Sequence, residues 1–308
     1  MDNELILFDR IEVLKLIINK YGEDNFYLSF SGGKDSTVLH YLLDMAIPNN
    51  NIARVYSDTG IEFDMIKEFV NELKETDSRI VIIKPTAPLG KVFKNYGYPF
   101  KSKAHSEYVW RYQSRGMRTH LERYLDPPKN RKRFSCPQIL KYQFTNNFDL
   151  KVSSKCCDAL KKSTFKKYQK ANDKPYVLTG ERISEGGARS QHKDCIVVDS
   201  KGKLTKFKPL NKVNNEWMEW FIDTYNIKLC ELYYPPYNFQ RTGCIGCPYN
   251  IQIAEELETL YTLLPKEYKK AKALWRPVYD EYIRIGYRLK KYPNEESQLS
   301  LFDEKESN

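Results

Sequence analysis

No run of the 308-residue sequence approaches the eighteen or so consecutive apolar residues that a bilayer-spanning helix needs. Its first ten residues, MDNELILFDR, carry acids where a secretion signal requires a basic stretch. Both absences point to a cytoplasmic protein with no membrane partner. In that compartment seven cysteines, an odd number, do not make a disulfide framework. The four histidines (His40, His105, His120 and His192) lack metal-ligand spacing, and no chemistry is assigned to them. There is no internal repeat. A composition that is 41% hydrophobic and 29% charged excludes a mostly disordered or collagen-like chain. The length exceeds a usual single core, which leaves one large α/β domain with an appended segment, or two domains.

What is present is unevenly placed. Residues 91–133 hold twelve Lys and Arg but only Glu107, Glu122 and Asp126 as acids, so this segment carries +9 of the net +10. Phe93, Tyr96, Tyr98, Phe100, Tyr108, Trp110, Tyr112 and Tyr124 are interleaved with those cations. Basic groups neutralise phosphates and aromatics stack on exposed bases, so a nucleic-acid partner is expected. A solvated charged face with a few core aromatics is the alternative.

Apolar residues at helical spacing mark 4–20, 36–45, 62–74 and 216–226, and short β-rich runs mark 26–30, 52–57, 80–83 and 176–178. Strands alternating with helices imply a parallel sheet covered on both faces. Residues 252–264 and 266–289 read as helical. The expected organisation is an α/β nucleotide-binding domain over 1–250 that includes the basic segment, a helical C-terminal section over 251–293, and a disordered polar tail over 294–308.

Between the first strand and the second helix lies Ser31-Gly32-Gly33-Lys34-Asp35-Ser36. Two glycines let the backbone approach an oxyanion, and amides at a helix N-terminus favour negative charge there. Lys34 adds a point charge; Ser31 and Ser36 add hydroxyl donors. The spacing is not that of a Walker loop. An ordinary strand-to-helix turn is the alternative.

The string SGGKDS resembles the PP-loop of the adenine-nucleotide alpha-hydrolase superfamily, whose members cleave or recognise the α-phosphate of ATP or adenylyl sulfates. Ser57-Asp58-Thr59-Gly60, then Thr179-Gly180-Glu181-Arg182 with Ser184-Glu185 and Arg189, then Lys208-Pro209-Leu210 before a Trp-rich helix, resemble motifs of its phosphoadenosine phosphosulfate (PAPS) reductase-like branch in family order. The resemblance covers roughly residues 25–250. It implies a doubly wound parallel α/β sheet of the PP-loop type, with ATP or adenylyl sulfate at the strand C-termini. It also implies nucleotide binding by Ser31, Gly32, Gly33, Lys34, Asp35, Ser36, Asp58, Thr59 and Gly60. Lys34, Asp35, Arg182 and Arg189 would act at the phosphates, with Asp35 or Asp58 as a holder of Mg²⁺.

Four cysteines form two close pairs, Cys156-Cys157 and Cys244-Ile245-Gly246-Cys247. Four thiolates suit zinc or a cubane iron–sulfur cluster. The CC…CxxC set resembles the [4Fe–4S] ligands of the adenylyl-sulfate reductases in the same family, with Lys161 in the place of a basic residue that follows the pair there. Zinc, or four reduced buried thiols, are the alternatives. Cys136, Cys195 and Cys230 read as core residues.

Sulfate-reducing members of the family carry a nucleophilic cysteine near the C-terminus, whereas no cysteine follows Cys247 in this sequence. A thiolate is needed to form the S-sulfo intermediate, so an adenylyl-sulfate or PAPS reductase is the weaker reading. The stronger one is an ATP pyrophosphatase that activates an acceptor as an adenylate before sulfur transfer. The tRNA thiolases and the ATP-pyrophosphatase component of DNA phosphorothioation systems are of this type. A nucleotide- and nucleic-acid-binding module without turnover is a third reading. In the tail, Gln298-Leu299-Ser300-Leu301-Phe302 resembles the QL(S/D)LF peptide by which bacterial proteins dock on the DNA sliding clamp. Packing of Leu301 and Phe302 back on the domain is its alternative. A clamp partner would favour DNA over tRNA as the acceptor.

Overall fold

The computed structural model describes residues 2–128, 135–185 and 194–293. The chain divides into two compact units, Met1–Thr86 with Lys161–Gly243, and Ala87–Leu160 with Cys244–Asn308. Met1–Thr86 contains α1 (Asn3–Tyr21), β1 (Phe26–Phe30), α2 (Lys34–Ala46), β2 (Ala53–Ser57), α3 (Asp64–Thr76) and β3 (Ile80–Ile83). Ala87–Leu160 contains α4 (Leu89–Tyr96), α5 (Lys103–Arg115), α6 (Thr119–Leu125) and the short α7 (Lys155–Cys157). Lys161–Gly243 adds α8 (Ser163–Ala171), β4 (Tyr176–Leu178), β5 (Ile196–Val198), β6 (Leu204–Phe207) and α9 (Asn215–Thr224). The last segment adds α10 (Ile253–Leu263) and α11 (Pro265–Arg284). No helix among the described residues is long and apolar enough to cross a membrane.

The first unit is a doubly wound α/β layer. Its sheet runs β3-β2-β1-β4-β6-β5, parallel throughout except for β5 against β6. β1 is buried at every residue but Ser29, as a central strand covered on both faces must be. From β1 the chain builds outward to β2 and β3, then returns to place β4 on the other side of β1. Strand order therefore reverses between β1 and β4, and such a switch point opens a crevice at the strand C-termini. α1 is capped by Asp2, whose carboxylate accepts the Glu4 amide at 3.0 Å.

The interior of this unit holds an ion network. Arg54 is fully buried in β2, donates from Nε to His40 Nδ1 at 3.1 Å and pairs with Asp44 at 2.6 Å. Arg79 shares the same carboxylate at 2.7 Å. Burial, followed by the Arg54 charge, lowers the His40 pKa to about 4, so the imidazole is neutral and accepts.

The second unit is helical and aromatic. Trp275, Tyr279 and Tyr282 of α11 are its largest buried side chains, with Phe93 edge-on to Trp275 at 5.2 Å and Phe100 edge-on to Tyr282 at 4.6 Å. α5 starts at Ser102, whose hydroxyl accepts the His105 amide at 3.2 Å. The His105 ring is buried between Tyr124 Oη (2.9 Å) and Gln143 Oε1 (2.7 Å), and burial lowers its pKa to about 4. α11 ends at Arg284, short of the expected residue 289. Gly286 takes φ +63° there, and the Tyr287 amide turns back to the Tyr282 carbonyl at 2.8 Å.

Candidate functional site

The SGGKDS string forms the turn from β1 into α2. Gly32 sits at φ +69°, and a Cβ there would lie 2.9 Å from Val70 and 3.0 Å from Ile66, so conformation and space both demand glycine. The Ser31 amide donates to Ser36 Oγ at 3.1 Å, and the Gly33 amide to Ser31 Oγ at 3.3 Å. Ser36 Oγ donates onward to the Gly33 carbonyl at 2.9 Å, which leaves the Ser31 hydroxyl to bridge at 2.9 Å. Gly180, at the end of β4, lets that strand approach α2: a Cβ on it would meet the Asp35 carbonyl at 2.7 Å.

Above this turn opens a cavity of about 220 Å³, lined by Ser31, Lys34, Asp35, Ser36 and Thr179 among others. Tyr233 and Thr242 also line it. The Lys34 amide, at the first turn of α2, donates to Tyr233 Oη at 3.0 Å, and that hydroxyl lies 2.7 Å from Thr242 Oγ1. Burial pushes the Tyr233 pKa up to about 12, so the phenol keeps its proton. Thr179 Oγ1 is buried with no hydrogen-bond partner among the described residues. An orphaned hydroxyl beside a lysine, two serines and a helix N-terminus fits a phosphate-bearing ligand.

The other expected nucleotide residues are distributed differently. Arg182 is 4% exposed and donates from Nε to Asp35 at 2.8 Å and from Nη1 to Ser184 and Asn215 at 2.9 Å each. It stands behind Asp35 and does not line the cavity. Asp58, Thr59 and Gly60 form the turn after β2, away from the cavity lining. There the Gly60 amide bonds Asp58 at 3.1 Å, and buried Glu62 receives the Thr59 amide at 3.0 Å. Lys161 pairs with Glu62 at 3.2 Å. Asp35 is thus the expected Mg²⁺ carboxylate that borders the cavity. Arg189 lies outside the described residues, as do the Gln298–Phe302 peptide and the Arg131–Arg133 run.

All four paired cysteines fall in the second unit. The Cys156 thiol is pushed well above its ordinary range by a hydrogen bond to Cys157, by burial, and by the neighbouring Cys157, Cys247 and Cys244. Cys247 is raised by burial, then by Cys244 and Cys157, while the Tyr249 amide bonds it. These thiols feel one another, and no disulfide joins any of the seven cysteines. The CxxC turn is held by α11: Trp275 Nε1 donates to the Ile245 carbonyl at 2.7 Å, Tyr279 to Gly246, and Tyr282 to Pro248 at 2.9 Å. Tyr249 Oη is buried beside Ser106; burial raises its pKa, the Ser106 hydroxyl lowers it, and Cys156, Cys157 and Cys247 raise it further. Four gathered thiols fit, in donor kind and number, a thiolate-bound cluster. Among the described residues no group of three or more His, Cys, Asp or Glu side chains is arranged to hold a metal ion.

The basic segment lies in the same unit, and its aromatics separate by role. Phe93, Phe100 and Tyr124 are buried, and Tyr108 stacks on Tyr124 at 4.2 Å. Trp110 instead stands among cations.

A family model, the phosphoadenosine phosphosulfate reductase domain, matches residues 25–128 and 135–250. The chain belongs to this family. The matched residues include the SGGKDS turn, Thr179 and both cysteine pairs. No curated protein matches the chain. Among solved structures, the chain is similar to the phosphoadenylyl-sulfate (PAPS) reductase of Candida auris in its phosphate complex, at 16% identity over 72% of this chain and 82% of that one, with a TM-score of 0.42. The FMN adenylyltransferase of Candida glabrata in complex with ATP is 16% identical over 80% of this chain and 64% of that one, with a TM-score of 0.45. The U34-tRNA thiolase NcsA of Methanococcus maripaludis with its [4Fe-4S] cluster is 14% identical over 90% of this chain and 80% of that one, with a TM-score of 0.37. At these identities no residue role passes from them to this chain.

Sequence reasoning missed Tyr233 and Thr242, the wall of this family domain's cavity. Tyr233 lies 199 residues from Lys34 in the chain, and no local motif ties the two together. The one available signal is the rigid Tyr-Tyr-Pro-Pro-Tyr stretch at 233–237, rich in ring-bearing side chains.

Proposed function

We propose that the chain is an adenine-nucleotide-dependent enzyme that activates an oxygen of a nucleic acid as its adenylate, as the first step of sulfur transfer. The observation that carries this reading is the cavity over the Ser31–Ser36 turn, lined by Ser31, Lys34, Asp35, Ser36 and by Thr179, whose buried hydroxyl has no partner among the described residues. In the first step the acceptor oxygen attacks the α-phosphorus of ATP, the bond to the bridging oxygen breaks, and pyrophosphate leaves. Negative charge grows on the phosphate oxygens as this happens. The Lys34 ammonium and the α2 amides meet that charge in a site built before substrate arrives. Arg182 acts through Asp35, fixing its carboxylate at 2.8 Å, and Asp35 is the side chain that would hold Mg²⁺ against the phosphates.

A sulfide-level sulfur nucleophile then attacks the activated atom of the acceptor, the bond from that atom to the adenylate oxygen breaks, and AMP leaves carrying that oxygen. Cys156, Cys157, Cys244 and Cys247 would hold a [4Fe–4S] cluster, which when bound supplies the sulfur-carrying or redox centre of the transfer. The +9 segment supports a polyanionic acceptor.

The test is product analysis with ATP and with adenylyl sulfate, in the presence of single-stranded DNA or tRNA. AMP and pyrophosphate released from ATP are expected. Lys34→Ala should weaken ATP binding by about 1.5–3 kcal/mol, the worth of one charge-assisted contact. Sulfite release from adenylyl sulfate with thioredoxin would replace this reading by a reductase. ATP binding without turnover on any acceptor would reduce the chain to a binding module.

A further inference from the structure

A second cavity, of about 570 Å³, lies along one face of α5 and the start of α6. Its volume is in the range that holds a nucleotide-sized ligand. Glu107, Trp110, Arg111 and Arg115 fall at helical spacing on that face, and Arg118 closes the rim. The opposite face of α5, with buried His105 and Val109, packs into the unit, so the cavity residues are not required for its core.

The charges along this face are not balanced. Glu107 accepts from Arg111 Nε at 3.0 Å and from Ser154 Oγ at 3.0 Å, so one cation is neutralised and fixed. Arg115 and Arg118 have no carboxylate partner among the described residues, and neither does Lys155. The Lys155 ammonium stands 5.0 Å from the centre of the Trp110 ring and the Arg115 guanidinium 5.8 Å from it. Trp217 and Trp275 are buried cores of their units, whereas half-buried Trp110 shows its ring to cations, and no described residue accepts its indole N–H.

From this arrangement we propose that the cavity binds one nucleotide unit of a single-stranded nucleic acid, with the base on Trp110 and the flanking phosphates on Arg115 and Arg118. It rests on the nucleic-acid acceptor proposed above and locates where that acceptor is gripped. A π-face takes any base, and an exposed guanidinium either stacks over that base or turns to a phosphate. Lys155 directly precedes Cys156, so a strand seated here lies one residue along the chain from the thiol pair. A free mononucleotide shares the same chemistry, but a rim with cations on either side of the ring suits a strand with a phosphate on each side of its base.

The experiment is fluorescence anisotropy of the full chain with a labelled single-stranded 12-mer across a salt series, with AMP as competitor. Trp110→Ala should weaken the 12-mer by roughly 5- to 150-fold and leave the salt slope unchanged. Arg115→Ala with Arg118→Ala should lower the log–log salt slope by about 1.4, two phosphates at about 0.7 each. Both variants should bind ATP as the parent does and keep the parent's amide hydrogen-exchange protection in α5 and α11, which shows that both units are folded. A 12-mer that binds the parent and both variants alike overturns this site and leaves the nucleic-acid acceptor standing. No binding of single- or double-stranded oligonucleotide by the parent overturns both. Competition by micromolar AMP, lost in Trp110→Ala, makes the cavity a mononucleotide site and overturns the strand.

Discussion

At position 32 a side chain is refused twice, by a left-handed φ of +69° and by Val70 at 2.9 Å from any Cβ. Gly32→Ala should therefore destabilise the first unit by about 2–4 kcal/mol, combining backbone strain with overpacking, as a lowered urea midpoint will report. His105 is the corresponding residue in the second unit. Unfolded, it titrates near 6.5, and folded near 4. Between these values the unfolded chain binds more protons, so stability falls as pH drops from 6.5 to 4, by about 3 kcal/mol once below both. Urea denaturation of His105→Gln over that interval should show a visibly shallower pH dependence than the parent. Neither His105 nor Arg54 was legible as a structural residue from the sequence. A buried polar side chain looks like any other until its partners, here Gln143 and Tyr124, are folded against it.

Elements were legible where the signal was local. The strand, glycine turn and helix at 26–46 sit within a few residues of expectation because one stretch contains the β-run, the forced turn and the helix start. β5 and β6 passed unnoticed: three and four residues are too few for a period, and β5 is an exposed edge strand. α4, α5 and α6 were hidden because dense Lys and Arg blur the apolar stripe of the segment they occupy. The hold of α11 on the CxxC turn belongs to this scale too, since three carbonyls of 245–248 are satisfied by one helix. Tyr279→Phe leaves the Gly246 carbonyl unpaired and should cost about 1–3 kcal/mol. Anaerobically purified parent protein should be brown with broad absorption near 400 nm, and Tyr279→Phe should bleach faster in air. Colourless protein with stoichiometric zinc would count against the iron–sulfur assignment.

In the whole molecule, charge and chemistry are sorted between the units. The switch-point cavity, Lys34, Arg182 and Thr179 belong to the first unit, and the thiols with the basic segment to the second. The order of motifs along the chain was legible; their assignment to two units was not, because each unit is assembled from two separated stretches. That threading has a consequence for synthesis. A ribosome delivers Met1–Thr86, then half of the second unit, then the rest of the first, and only after residue 243 the stretch with Cys244 and Cys247. Cys156 and Cys157 must therefore wait for Cys244 and Cys247 while more than eighty further residues are made, at roughly 5–20 residues per second. A chain stopped at residue 243 should show protected amides in β1, β2 and β4 by hydrogen exchange and rapid exchange throughout 87–160. Equal protection in both stretches would mean that the second unit does not depend on its late half. The nascent thiol pair would then spend those seconds inside a formed unit, sheltered from oxidants before any cluster could be delivered to it.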